Sequence, residues 1–473
     1  MNLKELVEKF IIFEEKNNLF DLEIVGEKYW HYIRFEIFNI IANDKFEFGN
    51  RDQTLKSKIN KIRTYFFNII TILIRQPLLI LKRKEILIFN HPRRILIDGY
   101  YTCIFTDYIL DHLKHSYYVF ELPYQLSHLK PIKTKNIKYL DLIHLICRIK
   151  KLFQKRLICD TDMLEVKQLE RKIADEFNLK PENLNVKKIL KDKLLFIIES
   201  KKYYRKIIDK IKPKLIIEVV HYLNAIISVN EIAKERGIKT VELQHGTTGK
   251  YFIPYNFHKK QNLPGFPDEI WLFGAFWKNY SSFPINGDSL KEVGFPYLER
   301  MYDKFNDSIK PNNKKIILFL SQWNIGDELS RIAVRLNKLI DKQKYEIYFK
   351  LHPAEVNNYK QKYPNLIESE ITVINSSSKN IYYYFDIASY QVGVYSTSLF
   401  EGLRYGLKTF IFKTYGHEQM EKIYRNGYAK LVENELQLSK YLEEPHDEID
   451  MNYLWKSNSL NAILNEIDKN IGL

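Results

Sequence analysis

The chain has 473 residues, 45% of them hydrophobic and 28% charged. That composition excludes a disordered, collagen-like or small disulfide-stapled protein, and the length predicts two or three domains. Lys and Arg number 73 against 58 Asp and Glu, a net charge of +15 that points to a polyanionic partner without choosing among nucleic acid, anionic lipid and phosphorylated ligands.

In chain order, residues 1–84 read as a helical extension. They open without an apolar h-region or a small-residue cleavage site, so no signal peptide is expected. Residues 56–84 place a short apolar centre between basic flanks, Lys56, Lys58, Lys61 and Arg63 before it and Arg75, Lys82, Arg83 and Lys84 after it. The centre falls short of the ~20 apolar residues of a spanning helix. It fits an interfacial helix on an anionic membrane surface, or a core helix with a solvated basic rim.

From residue 85 the pattern changes to short apolar runs alternating with longer mixed segments, the mark of an α/β protein. Strands are expected at 85–90, 117–120, 138–142, 214–220, 239–243 and 269–273, with a helix over 224–236. A Pro- and Gly-rich stretch at 281–297 and a polar one at 305–313 mark a boundary. Strands at 315–320, 345–351, 372–374, 390–394 and 408–412, with helices over 327–341 and from about 398, make a second series. The remainder reads as helices. The expected domains are 1–84, 85–300, 310–425 and 426–473, the last packing back on the first α/β unit. Three cysteines, Cys103, Cys147 and Cys159, contain no CxxC pair, which speaks against a zinc ribbon and for a reducing, cytoplasmic setting.

Two α/β units suggest a cleft, and ligands of such sheets sit at the carboxyl ends of strands. Three of those ends carry reactive residues. The 239–243 run leads into Gln244-His245-Gly246-Thr247-Thr248-Gly249-Lys250, where an imidazole at a strand tip can take a hydroxyl proton. The alternative is a turn histidine in a cap or core. The 345–351 run ends in Lys350-Leu351-His352-Pro353, a histidine held extended by the proline and suited, with Lys350, to a phosphate. The 390–394 run leads to Ser396, Thr397 and Ser398 at a helix start, an anion site by its open N–H groups, with Glu401 placed to hold a ribose. The alternative there is a capping box of Ser398 and Glu401. After the first strand, Arg93 and Arg94 could hold an acidic acceptor beside Asp98 and Asp107. The alternative is a surface loop with a structural Arg–Asp pair.

The segments at 244–250, 350–353 and 395–412 resemble glycosyltransferases of the GT-B architecture. KLHP and YSTSLFEGLRYGLKTFIF are similar to the HP and Ser-Ser/Thr motifs of bacterial sialyltransferases and capsule Kdo transferases, and QHGTTGK to the HGT motif of CDP-glycerol polymerases. The resemblance implies two Rossmann-like domains facing across a cleft. It implies that His352, Lys350, Pro353, Ser396, Thr397, Ser398 and Glu401 hold a donor nucleotide, and that Gly246, Thr247, Thr248 and Lys250 flank the cleft. His245 is then the candidate base. Asp98, Asp107 and Glu242 remain candidates, because the acidic pair that precedes glycine in sialyltransferases is absent at 245.

The function implied is transfer of a sugar from a nucleotide-activated donor to a glycan or lipid-linked glycan acceptor in bacterial surface polysaccharide synthesis. The setting would be cytoplasmic or peripheral on the inner membrane face. A CMP-sugar is the first choice, a CDP-polyol or UDP/GDP-hexose the alternative, and no metal cofactor is expected. A nucleotide-sugar epimerase of the same shape would need paired acid–base carboxylates, and no such pair stands out. A nucleic-acid-binding protein would concentrate cations among stacking aromatics, whereas the charge here is dispersed.

Overall fold

The computed structural model describes residues 1–46, 69–78, 81–124, 127–153, 158–305, 314–375, 379–445 and 449–472. Residues 56–68 and 79–80 of the basic-flanked segment, and residues 306–313 of the expected boundary, lie outside them.

The apolar runs pair into two wholly parallel sheets. The first contains β1 (Ile86–Phe89), β2 (Tyr117–Glu121), β3 (Ile137–Tyr139), β4 (Leu215–Glu218), β5 (Lys239–Leu243), β6 (Glu269–Leu272) and β7 (Leu290–Glu292), in the order β7-β6-β5-β4-β1-β2-β3. The second contains β8 (Lys315–Leu320), β9 (Tyr345–Lys350), β10 (Thr372–Ile374), β11 (Ala388–Gly393), β12 (Lys408–Phe412) and β13 (Lys430–Val432), in the order β10-β9-β8-β11-β12-β13. Counted within its own sheet, the second order is 3-2-1-4-5-6, the doubly wound Rossmann order, and the first is the same with a seventh strand at one edge. Strands β1, β4 and β6 are buried at every position. Helices on both faces of a parallel sheet demand this, and it is why these strands read as continuous apolar runs rather than as alternation.

Two short edge strands depart from expectation. β7 lies in the Pro- and Gly-rich stretch, and β13 in the segment read as wholly helical. Three residues at a sheet edge carry too little periodicity to stand out. The 138–142 run stops early as a strand because Asp141 opens helix α3 (Asp141–Phe153).

Helices α1 (Leu3–Lys16), α2 (Trp30–Phe46), α4 (Asp160–Phe177) and α5 (Val186–Ile211) share one core around Phe10, Trp30, Phe177 and Leu190. Arg34, only 2% exposed, ties this layer to the loop after β5. It pairs with Glu14 at 2.8 Å and donates to the carbonyls of Ile253 at 2.7 Å and Asn256 at 3.0 Å. At the other end of the chain, Trp455 donates to the Phe400 carbonyl at 3.1 Å while its ring lies 4.9 Å from Phe273. Helix α11 (Ser459–Ile471) then buries Ile463, Ile467 and Ile471 with Ile86 and Leu215 of the first sheet. The C-terminal segment thus straps the two units together. Among the described residues no helix is long and apolar enough to cross a membrane.

Candidate active site

Strand ends from both sheets open on one cavity of about 2050 Å³. The first unit contributes His91, Arg93, Asp98, His245, Gly246 and Thr247. The second contributes Lys350, His352, Pro353, Ser396, Thr397, Ser398 and Glu401. The two sets approach closely, since a Cβ on Gly246 would lie 3.7 Å from Thr397 Oγ1.

His245 follows β5, and Gln244 sets the turn that presents it. The Gln244 side chain accepts the Phe273 N–H at 2.8 Å and donates to the Gly246 carbonyl at 2.8 Å. Behind the ring, Glu242 Oε1 lies 3.4 Å from His245 Nδ1. A carboxylate only accepts, so Nδ1 carries the proton and Nε2 is left basic, accepting the Tyr222 hydroxyl at 3.2 Å. Glu242 is fully buried. Its other oxygen lies 2.7 Å from His221 Nδ1, and the Tyr255 hydroxyl donates to Oε1 at 2.7 Å. Burial opposes its ionisation, but His221 and His245 outweigh burial and hold its carboxyl at about 2. Glu242, expected as a candidate catalytic carboxylate, therefore does not line the cavity. It sits three residues back, within β5, and positions His245.

In the second unit, the His352 ring is fixed by its own turn. Its Nδ1 accepts the Ala354 N–H at 3.2 Å, which leaves the proton on Nε2. The turn rests on Glu355, a fully buried carboxylate that accepts the His352 N–H at 2.8 Å, the Ser321 hydroxyl at 3.1 Å and the Tyr363 hydroxyl. Gly326, at the start of helix α8 (Gly326–Asn337), leaves the space this network needs, because a Cβ there would fall on Glu355 Oε1 and the Tyr363 hydroxyl. Lys350 is half-buried in the cavity wall, and burial pushes its ammonium pKa down. Its side chain has no hydrogen-bond or carboxylate partner among the described residues.

Ser396 caps helix α10 (Thr397–Leu403), its Oγ accepting the Ser398 N–H at 3.2 Å. With only seven residues, that helix offers little dipole, and the hydroxyls are what it brings to the cavity. Glu401 forms no capping box with Ser398. It accepts the Tyr382 hydroxyl at 2.8 Å, and burial pushes its carboxyl up to about 7 against that bond.

Other expected residues are placed elsewhere. Arg94 and Asp107 are buried partners at 2.9 Å, and Arg94 also grips Glu121 at 2.7 Å. They brace the loop from beneath, and neither lines the cavity. Thr248 is buried and Lys250 exposed, and neither lines the cavity. Asp98 does line it, but at a hairpin tip between residues 95–97 and 100–102, where Asp98 and Gly99 have φ of 48° and 80°. Asp-Gly is the pair such a two-residue turn prefers, which accounts for the aspartate on local grounds.

Several site residues were not singled out by sequence. Gln322, Trp323 and Asn324 follow β8, the strand beside the point where the sheet order reverses, and Gln322 accepts the Tyr395 N–H at 3.1 Å. Tyr222 and Tyr382 have no sequence signal. Glu355 has one in hindsight, as the last residue of His-Pro-x-Glu. Among the described residues no group of three or more His, Cys, Asp or Glu is placed to hold a metal ion.

No known family profile and no curated protein matches the chain. Solved structures match at low identity. The wall teichoic acid polymerase TagF is 12% identical over 89% of this chain and 98% of its own, with a TM-score of 0.43. The UDP-GlcNAc 2-epimerase from Methanocaldococcus jannaschii is 12% identical over 81% and 99%, with a TM-score of 0.46. The Neisseria meningitidis UDP-GlcNAc 2-epimerase bound to UDP-GlcNAc gives the same four values, 12%, 81%, 99% and 0.46. Likeness at this level says nothing about chemistry, which is read from the residues of the cavity.

Proposed function

We propose that the protein is a glycosyltransferase that moves a sugar from a nucleotide-activated donor to a glycan acceptor. The observation that supports this is the convergence on one cavity of a carboxylate-backed imidazole, His245, with Lys350, which has no carboxylate partner among the described residues, and a proton-bearing imidazole nitrogen, His352 Nε2. The acceptor hydroxyl takes the place of the Tyr222 hydroxyl at His245 Nε2 and gives that nitrogen its proton as its oxygen bonds to the anomeric carbon. The bond from that carbon to the donor phosphate breaks, and the electron pair leaves with the phosphate. Lys350 and the His352 N–H stabilise the charge that develops there, where a half-buried site makes them effective. Ser396, Thr397 and Ser398 offer hydroxyls to the same phosphate, and Glu401 meets the ribose. In this reading the positive charge comes from side chains, so activity survives chelation by EDTA.

A CMP-sugar is the favoured donor on the motif resemblance, which also supports a role in surface polysaccharide synthesis. A thermal-shift panel of CMP, CDP, UDP and GDP tests the reading, because a ligand bound only by the folded state raises Tm by mass action. One nucleotide should raise Tm in the wild type and not in His352→Ala. A shift of equal size in the variant would contradict the assigned role. Donor incubated in D2O that gains deuterium on a sugar carbon would replace the transferase by an epimerase.

A further inference from the structure

We infer that the first unit carries a second oxyanion site, formed by His91 and Arg93, which takes a phosphate or carboxylate group of the acceptor; this rests on the transferase reading above. One turn is built twice, once on each side of the cavity. β1 runs into Asn90-His91-Pro92-Arg93, and β9 into Leu351-His352-Pro353-Ala354. In both, the imidazole Nδ1 accepts the backbone N–H two residues on, at 3.1 Å from Arg93 N and 3.2 Å from Ala354 N. The contact of His91 Nδ1 to the Arg93 carbonyl is longer, 3.4 Å. Each ring therefore carries its proton on Nε2, and both rings line the cavity.

His91 does not compete with His245 as a base. Burial, and then the neighbouring charge of His245, push its pKa down to about 4. It stays a neutral N–H donor, with its ring centroid 6.2 Å from that of His245. Beside it, Arg93 is exposed to the cavity and has no carboxylate partner among the described residues.

The residues flanking the turn are anchored. Asn90 donates to Glu121 at 3.0 Å and accepts the Thr106 hydroxyl at 2.6 Å, while Arg94 is locked onto Glu121 and Asp107. Two neighbouring arginines thus have opposite fates: one is spent inside, and one is left open where a ligand enters. A fixed N–H beside an open guanidinium fork matches an oxyanion, and an uncharged acceptor would have no use for it. Its place near His245 sets the acceptor's charged group close to the hydroxyl that reacts.

Isothermal titration of inorganic phosphate and of methyl α-glucuronide into the full chain tests this, in wild type and in His352→Ala, Arg93→Ala and His91→Ala. Binding of one probe should persist in His352→Ala and weaken at least about tenfold when Arg93→Ala or His91→Ala is added to that variant, the size of one charge-assisted hydrogen bond. Whichever probe binds tighter names the group. Absence of anion binding in His352→Ala, or binding indifferent to Arg93→Ala, overturns the proposal. Arg93 is exposed, so its variant folds and decides the matter even if His91→Ala does not. Titrating CMP into the same proteins separates the two readings. CMP binding lost in His352→Ala and kept in Arg93→Ala supports the donor site, and its absence from the wild type removes the donor site while the phosphate result stands alone.

Discussion

Glu355 is where the proposed donor site can be broken without touching the ligand. Its carboxylate, fully buried, is the shared acceptor for the His352 amide and the Ser321 and Tyr363 hydroxyls. Replacing it with alanine strands all three donors. Ser321 and Tyr363 are 7% and 1% exposed, so no bulk water replaces the lost partner. A buried donor left unpaired costs about 1–3 kcal/mol, so two of them, with the small cavity left behind, cost about 3–5 kcal/mol of second-unit stability. The His352 amide, half-buried, adds little energy but loses its anchor, and the turn that aims the ring relaxes. Nucleotide affinity should therefore fall at least about tenfold, or ~1.4 kcal/mol. Glu355→Gln keeps one acceptor oxygen and should fall between alanine and wild type on both measures. Urea denaturation followed by circular dichroism reads the first quantity, and calorimetric titration of the nucleotide the second. An alanine variant within about 0.5 kcal/mol of the wild type, a margin typical of unremarkable surface changes, would refute the buried-network account. So would undiminished nucleotide affinity.

Further predictions concern the same network and its neighbours. Gly326→Ala places a methyl group on Glu355 and Tyr363 and should cost about 1–3 kcal/mol by overpacking, with weakened nucleotide binding; unchanged Tm and affinity would show that the network yields. Arg94→Ala removes the guanidinium that pairs with both Glu121 and Asp107 in a buried setting and should lose about 3–5 kcal/mol. The adjacent Arg93→Ala should stay within about 0.5 kcal/mol, and equal losses for the two would mean the pair had been assigned wrongly. Glu401, raised to about 7 from 4.5, holds its proton in the folded state over a range where the unfolded chain has released it. Its contribution is complete below pH 4.5 and lost as pH rises through 7, up to about 3 kcal/mol. The stability difference between wild type and Glu401→Gln should therefore change across that window, and a constant difference from pH 4 to 8 would exclude the raised pKa.

Much of the site was legible because strand ends are legible. The run 345–351 is apolar enough to be a strand, and Pro353 marks where it stops, so His352 had to lie at a tip. The same reasoning placed His245 and Ser396 correctly on their elements. It failed where a residue's fate depends on its partners. Arg93 and Arg94 are neighbours of one type, and nothing in their order says which is sequestered by Glu121 and Asp107. Glu242 precedes His245 by three residues, and spacing alone left its direction open. Tyr222 and Tyr382 enter the site from segments with no motif, because only the folded chain brings them there.

What the amino-acid order determined by itself was the alternation of buried strands and helices, hence two parallel sheets, and the chemistry sitting at their carboxyl ends. That information is local: it depends on hydrophobic period and on the stiffness of proline and glycine. The tertiary structure alone decided that His245 and His352 share one cavity, that Gly246 meets Thr397, which ring nitrogens carry protons, and which carboxylates stand behind them. Those facts depend on how two sheets are strapped together by Trp455 and helix α11. No periodicity along the chain encodes a distance between side chains that lie a hundred residues apart.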